Sequence, residues 1–423
     1  MATLVLIAVM MGLLFLGVPV AFALGGLGLA MFLWAGMSPL MVAQALYSTP
    51  DSFVLLAVPL FLLMSNILLK GGAGKHLFAA VQSWVGHWPG GLAIAAVVSC
   101  AVFAAISGSS VACAATIGTV AIGEMTERGY EKSFVYGLLA AGGTLGILIP
   151  PSIPMIVYGV LTDDSIADLF LAGVGPGLFL CALFLAYSFL YGKFGKGCGR
   201  APKASWAERR RTTREALPVF AVALAVIGSI YLGICTPTES AGIGFVLSLV
   251  LIAARGALTR RVLREAVMDS MRTTVTIFLI MAGATVFGKA ITLYQIPQEV
   301  AEAVSEHITA TGPFILAVCL ILLVMGFFLE SMSMLMILMP VLHPALLDMG
   351  IDTVWFGIIF TVMIECALIT PPVGLNLYVI QAVAKSPIAP VIRGVWPFIL
   401  MMFVTVAAVY AFPGLALYLP FKM

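Results

Sequence analysis

Long apolar runs separated by short polar stretches dominate the pattern along the chain. A helix needs about 20 apolar residues to cross a bilayer. Candidate spans lie at residues 2–35, 52–70, 133–160, 168–191, 216–234, 239–255, 273–291, 353–383 and 394–413. The first run is long, and Pro19 marks a point where it could divide into two helices.

Two further apolar stretches, 91–122 and 313–347, are too long for one crossing, and each has a polar cluster near its middle. The clusters are SGSS at 107–110 and ESMS at 330–333. This pattern predicts two re-entrant helical hairpins, each of which turns at a polar tip and leaves on the side it entered. Non-helical backbone at that depth is tolerated only where protein buries it or a wet cavity lies beside it.

Composition strengthens the membrane assignment. The 423 residues are 62% hydrophobic and 9% charged, whereas a soluble domain is roughly a quarter charged. We therefore expect an all-α polytopic membrane protein and exclude soluble cores and nucleic-acid-binding grooves. The N-terminal run lacks the basic region of a cleaved signal. The seven cysteines and four histidines show no metal-ligand spacing, so no cofactor is expected.

Basic residues concentrate in two polar stretches, 192–215 and 255–272, which the positive-inside rule assigns to the cytoplasm. They are Lys193, Lys196, Arg200, Lys203, Arg209, Arg210, Arg211 and Arg214 in the first stretch, and Arg255, Arg260, Arg261, Arg264 and Arg272 in the second. With both stretches inside, the first hairpin opens to the cytoplasm and the second opens to the outside.

This opposite orientation points to an inverted repeat. GILIPPSIPMIVYG at 146–159 matches ALITPPVGLNLYVI at 367–380, with an offset of 221 residues between the aligned prolines. The predicted division is a first repeat at 1–192, a basic loop and connecting helix at 193–235, and a second repeat at 236–423. Each repeat contains scaffold helices, a surface arm (near 75–88 and 297–310), a hairpin and a broken helix (133–160 and 353–383). Each arm could lie flat at the membrane interface or be an ordinary loop.

The paired prolines explain why the helices break. Pro150 and Pro151 cannot donate to the carbonyls one turn earlier, and the same holds for Pro371 and Pro372. A freed carbonyl in hydrocarbon costs several kcal/mol unless something satisfies it, and a bound cation, water or a hydroxyl would do so. Inverted repeats with paired broken helices are typical of secondary transporters. A single kinked structural helix is the simpler alternative, but two matching breaks make it a poor explanation.

Three glutamates and one lysine-containing motif need interpretation. Glu330 and Glu365 lie in apolar stretches, where an ionisable group is a functional candidate, although a hydrogen bond to backbone near a helix end would also explain each. Glu239 in TPTES favours a helix-capping role. GATVFGKA at 283–290 resembles a phosphate-binding loop but has Ala290 in place of Ser or Thr and no preceding strand. Nucleotide binding is therefore not expected, and energy should come from an ion gradient.

Four segments resemble the large membrane subunit of tripartite ATP-independent periplasmic (TRAP) transporters. They are SGSSVACAATIGTVAIGEMTERGYEKSF (107–134), GGTLGILIPPSIPMIVYG (142–159), CTPTESAG (235–242) and LITPPVGLNLYV (368–379). The resemblance covers essentially the whole chain. It implies an elevator-type transporter in the bacterial inner membrane that takes up small organic acids, such as C4-dicarboxylates or sialic acid, by sodium symport. It also implies an extracytoplasmic binding protein and a separate small membrane subunit of four helices.

The resemblance also implies sites, carried over by position. The first sodium site would involve Ser107, Ser110, Gly146, Ile149 and Pro151, and the second Gly326, Ser331, Cys366, Ile369 and Thr370. The second transfer is weaker, because the family often has Asp where this chain has Glu330. Candidate substrate-binding residues at the tips and breaks are Ser109, Ser152, Glu330, Ser331, Ser333 and Asn376.

Other functions stay open at this point. A cation or anion antiporter of the same inverted-repeat type would work without a binding protein. An intramembrane enzyme would need a nucleophile–base pair or a metal cluster, and the sequence offers no convincing constellation. Two inverted broken-helix units disfavour a channel.

Overall fold

The computed structural model describes residues 2–48, 51–195, 198–307 and 310–422, which fold almost entirely into α-helices without a strand. Within these ranges, seven helices are long and apolar enough to cross a membrane. An eighth span is formed if Lys132–Leu148 and Ile153–Thr162, which are bent by 41°, count as one. The chain is thus an all-helical, multi-pass membrane protein.

The helices of the first half, interrupted by a 3₁₀ turn at Phe53–Leu56, are α1 (Ala2–Phe15), α2 (Val20–Trp34), α3 (Leu40–Ser48), α4 (Ala57–Lys70), α5 (Ala73–Val85), α6 (Gly91–Ser107), α7 (Ser110–Glu127), α8 (Lys132–Leu148), α9 (Ile153–Thr162) and α10 (Ile166–Phe194). Those that follow are α11 (Trp206–Tyr231), α12 (Pro237–Ala254), α13 (Arg260–Leu293), α14 (Ile296–His307), α15 (Thr311–Met325), α16 (Ser331–Asp348), α17 (Thr353–Ile369), α18 (Leu375–Ala384), α19 (Ile388–Ala411) and α20 (Gly414–Phe421).

The predicted interruptions fall where the sequence placed them. The first run divides before Pro19, because Gly17 adopts φ 80° and ends α1 there. Both polar clusters separate the two helices of a hairpin, and both proline pairs separate the halves of a broken helix. The peptide bonds that precede Pro151 and Pro372 are both cis. The short helices α3 and α20 had no counterpart in the predicted elements.

Two helix pairs form a scaffold in which the repeats exchange partners: α2 packs against α13, and α4 packs against α12. Such an exchange is what a pseudo-two-fold relation between the repeats requires. Glycine makes the first pair close, since a Cβ on Gly283 would lie 2.4 Å from the Ala21 carbonyl oxygen. The hairpins also contact the broken helix of the other repeat: α7 packs against α18, and α16 packs against α9.

The basic stretches are more helical than expected. α11 begins at Trp206 and α13 at Arg260, ten or more residues before the predicted spans, because Ser205 and Thr259 cap their first turns. Arg209 is buried, donates to the Ser83 carbonyl oxygen at 3.1 Å and lies over Trp84, so it docks α11 onto the arm helix α5.

Several smaller expectations also have an outcome. Glu239 caps α12, as expected: Thr236 and Glu239 form a reciprocal capping box. Both arms are helical, as α5 and α14. Lys196 and the last residues of the second arm, 308–309, lie outside the described residues.

Candidate functional site

The tip of the first hairpin rests directly on the first proline break. Gly108, in the left-handed region at φ 57°, forms the turn between α6 and α7, and a Cβ there would lie 2.7 Å from the Pro151 carbonyl oxygen. A Cβ on Gly146 would lie 2.8 Å from the Ser109 carbonyl oxygen. Only glycine fits at both points. The predicted residues of the first sodium site are therefore brought together, with polar backbone of the tip against polar backbone of the break.

Hydroxyl groups line this contact. Ser107 and Ser110 are almost fully buried. The Ser107 hydroxyl donates to the Ser109 carbonyl oxygen at 3.4 Å. Ile149, at the end of α8, has an extended backbone conformation, so its carbonyl leaves the helical pattern at the position the first site requires.

Ser110 also links the first hairpin to the second broken helix. The Asn376 amide donates to its hydroxyl at 2.5 Å, and the carboxyl group of Glu365 lies beside it. Glu365 and Asn376 are fully buried. Beyond its approach to the Ser110 hydroxyl, the carboxyl group of Glu365 has no hydrogen-bond partner among the described residues, and the side-chain oxygen of Asn376 has none there. This interior is rich in unpaired oxygen atoms, the ligand type that hard cations prefer.

The second break is organised in a similar way. A Cβ on Gly326, just after α15, would lie 2.3 Å from the Cβ of Ala367, so the hairpin turn sits against the end of α17. The Thr370 hydroxyl donates to the Cys366 carbonyl oxygen at 2.6 Å. Because this hydroxyl donates, its oxygen can still accept one further contact. Ile369 is the buried last residue of α17, which brings four of the five residues of the predicted second site to one place.

Both hairpin tips border one cavity of about 610 Å³. The opposite wall belongs to the scaffold, mainly to α13. The lining comprises Pro19, Val20, Ala21, Leu62, Gly108, Ser109, Ser110, Val111, Ile147, Ile153, Pro154, Arg272, Thr273, Val275, Thr276, Ile277, Leu279, Ile280, Glu330, Ser331, Met332, Ser333, Leu368 and Leu375. The volume suits a small organic molecule rather than a single ion.

The candidate substrate-binding residues divide into two groups. Four of the six line the cavity: Ser109, Glu330, Ser331 and Ser333. Ser152 and Asn376 are outside that lining within the described part of the chain, and both are fully buried. Ser152 instead caps α9 by accepting from the Met155 amide at 3.4 Å. Asn376 binds Ser110 as described, so its contact is with the first predicted sodium site.

Glu330 lies at the N-terminus of α16, where the helix dipole favours a carboxylate. The Ser333 hydroxyl donates to it at 3.3 Å. The Glu330 side chain thus already occupies the end of α16 that would otherwise attract an anion. An anionic ligand in the cavity therefore needs a positive group from elsewhere.

Arg272 is the basic residue of the cavity lining, and the polarity pattern of the sequence does not indicate it. It lines the cavity from α13, beside the hydroxyl-bearing Thr273 and Thr276. Its side chain forms no salt bridge with any described residue. The sequence pattern predicts Arg272 as part of a basic loop, because the predicted span begins at residue 273. The residues before position 273 form helix and join α13 without a break. A longer predicted helix was therefore the signal that could have placed Arg272 on α13.

Comparison with solved structures finds a similar fold in a membrane protein. The transporter YdaH of Alcanivorax borkumensis, whose crystal structure was reported to have an unusual topology, superposes with a TM-score of 0.60. The match covers 89% of this chain and 88% of YdaH at 14% sequence identity, and therefore concerns the fold alone.

Sequence comparison identifies the family. The family model described as "Tripartite ATP-independent periplasmic transporter, DctM component" matches residues 7–415. The chain therefore belongs to the large permease subunits of TRAP transporters. The C4-dicarboxylate TRAP transporter large permease protein DctM of Pseudomonas aeruginosa is 38% identical over 90% of this chain and 89% of its own length. The isethionate TRAP transporter permease protein DctMQ of Oleidesulfovibrio alaskensis is 36% identical over 92% of this chain and 62% of its own length. The chain is a transporter subunit and not an enzyme.

Proposed function

We propose that the chain couples inward sodium movement to the uptake of a small organic acid. An extracytoplasmic binding protein delivers the acid, and a small four-helix membrane subunit completes the permease in the bacterial inner membrane. The tripartite family supports both partners. The relatives DctM and DctMQ are named for a C4-dicarboxylate and for isethionate. Both ligands are small organic anions, which favours the same ligand class here.

The observation that carries this proposal is the shared cavity. Both tips face it, both predicted sodium sites adjoin it, and Arg272 offers it an unpaired positive charge. A cation bound at either tip–break contact would hold the hairpin against its break and add positive charge near the anion. Binding of sodium and binding of the acid would then support each other, which is the requirement for symport.

We further propose an elevator motion, in which the hairpins and broken helices move together against the scaffold. The glycine contacts Gly108–Pro151 and Gly146–Ser109 join the tip and the break into one body. The close α2–α13 pair forms the opposing wall. The cavity lies at the boundary between these two parts, where a sliding movement would expose it to either side.

Uptake by proteoliposomes that contain both membrane subunits, with the binding protein outside, tests the coupling. Radiolabelled succinate, sialic acid and gluconate serve as the panel. Uptake of at least one acid should require an inward sodium gradient. Transport that ignores the gradient would overturn sodium coupling, and transport without the binding protein would favour the antiporter alternative.

The role of Arg272 is tested in the same assay. Hydrogen bonds to charged groups contribute about 1.5–3 kcal/mol, so Arg272→Met should lower uptake at subsaturating substrate about tenfold or more. Arg272→Lys should restore part of it. Arg264→Met is the matched control, because Arg264 is exposed on the same helix but lies outside the cavity lining. Equal uptake by Arg272→Met and Arg264→Met would refute an anion-binding role for Arg272.

A further inference from the structure

A second cavity, of about 620 Å³, lies further along the same scaffold helix. Its walls include α13 from Ala284 to Leu293 and α16 from Met339 to Pro344. The distribution of basic residues puts this end of α13 on the extracytoplasmic side. The ionisable groups among its described lining residues are Lys289 and His343, with no carboxylate.

Lys289 is the lysine of GATVFGKA, the motif that resembles a phosphate-binding loop. In the structure the motif is continuous helix within α13, so it has no loop to hold a phosphate. Lys289 is exposed to the cavity and forms no salt bridge with a described residue. A lysine that only extends toward lipid headgroups would lie on the outer surface of the helix, whereas Lys289 lines a cavity together with residues of α16.

The two cavities border the same two helices, α13 and α16, at different heights. From Ser331 to His343 on α16 there are 12 residues, or about 18 Å of helix. From Arg272 to Lys289 on α13 there are 17 residues, or about 26 Å. Each cavity is thus lined by one basic residue of α13 that forms no salt bridge with a described residue, and by part of α16.

We propose that Lys289, together with His343, forms an extracytoplasmic binding site for the carboxylate group of the incoming acid. This inference rests on the proposed uptake function. The positive charge attracts the anion that the binding protein releases. The anion then binds near α16 while the hairpins face outward, and from there it can pass to the tip of α16. In the first cavity, Arg272 then binds the same carboxylate group. The two cations give the anion a favourable partner at both ends of its path.

The local charge can be measured without transport. In the complete complex, with Cys235→Ser as background, Thr292→Cys places a thiol one helical turn from Lys289, since residues three apart are neighbours on a helix. Reaction rates are compared for an anionic and a cationic methanethiosulfonate reagent added from the extracytoplasmic side. Lys289 also affects the reactivity of the thiol itself, but that effect cancels in the ratio of the two rates.

Removal of the positive charge should lower the anionic-to-cationic rate ratio about three- to tenfold, given the Coulomb energy of charges this far apart in water. Lys289→Met is the test and Lys289→Arg should retain the ratio. Lys75→Met is the matched control, because Lys75 is exposed on α5, away from both cavities. An unchanged ratio in Lys289→Met would overturn the proposed site.

Uptake gives a second, independent readout. With whichever acid of the panel the wild type transports, Lys289→Met should raise the KM for the loaded binding protein severalfold and leave kcat nearly unchanged. If the wild type takes up none of the acids, the proposed function fails. If the wild type transports and Lys289→Met equals Lys75→Met in both readouts, the extracytoplasmic anion site fails while the proposed function stands.

Discussion

Replacement of Gly146 by alanine should weaken sodium activation of transport, because the added methyl group meets the tip of the first hairpin. A Cβ at this position would lie 2.8 Å from the Ser109 carbonyl oxygen and 3.2 Å from the Ser110 amide nitrogen. Both are backbone atoms and cannot rotate away. The tip must therefore shift from the break by a few tenths of an ångström.

The size of the effect follows from two opposing terms. Overpacking of a close contact costs about 1–3 kcal/mol, and the change from glycine to alanine within a helix returns about 0.5–1 kcal/mol. A net cost of about 1–2 kcal/mol falls on the contact proposed to hold the ion. Expressed as lost sodium affinity, it raises the sodium concentration for half-maximal uptake about five- to thirtyfold.

The assay is uptake against sodium concentration in proteoliposomes with both partner proteins, alongside thermal unfolding of the purified complex. Gly123→Ala is the matched control, because Gly123 lies on α7 of the same hairpin and its added Cβ meets nothing within 4 Å. Unfolding data separate a loss of folded protein from a loss of sodium affinity. If Gly146→Ala shows the sodium dependence of Gly123→Ala and the wild type, the reasoning about the tip–break contact is refuted.

Two further predictions concern stability. The Tyr158 hydroxyl donates to the Thr353 carbonyl oxygen at 2.6 Å and joins α9 to α17, so Tyr158→Phe should lower the free energy of unfolding by about 1–3 kcal/mol; an unchanged Tm would contradict this. Glu131 accepts hydrogen bonds from Ser133 and Tyr191, which lower its pKa. Its contribution is therefore present above its unfolded-state pKa, about 4.3, and is lost as the pH falls through the lower folded pKa. Tyr191→Phe should reduce Tm more at pH 7 than below about pH 3, and an equal reduction at both values would count against this linkage.

The hairpins and breaks could be predicted because each leaves a local signature. A polar cluster in an apolar run, or two adjacent prolines, has no place in an ordinary spanning helix. The contacts between them could not be predicted in the same way. That Gly146 lies on Ser109 depends on tertiary packing. The local sequence does not distinguish Gly146 from its neighbour Gly143, and only the family resemblance placed it beside the tip.

The limits of the site prediction have physical causes too. Ser152 follows the proline pair and carries a hydroxyl group that could bind a ligand. Its position just before α9 makes it a helix cap instead. Arg272 was overlooked because hydropathy ends a helix where charge begins, whereas α13 continues for three turns beyond the apolar run. The sequence shows which residues are polar, but only the packed structure shows which of them face the cavity.

The exchanged pairing of the scaffold has a consequence for biogenesis. α4 ends at Lys70 and its partner α12 begins at Pro237, so the ribosome adds about 170 residues before the pair can form. At roughly 5–20 residues per second, that interval lasts on the order of ten to thirty seconds. α2 waits still longer for α13. During this time the nascent chain presents to lipid the same glycine-bearing helix surface that later meets α13. The permease thus completes its α2–α13 and α4–α12 pairs only late in synthesis, and the first repeat cannot form either pair alone.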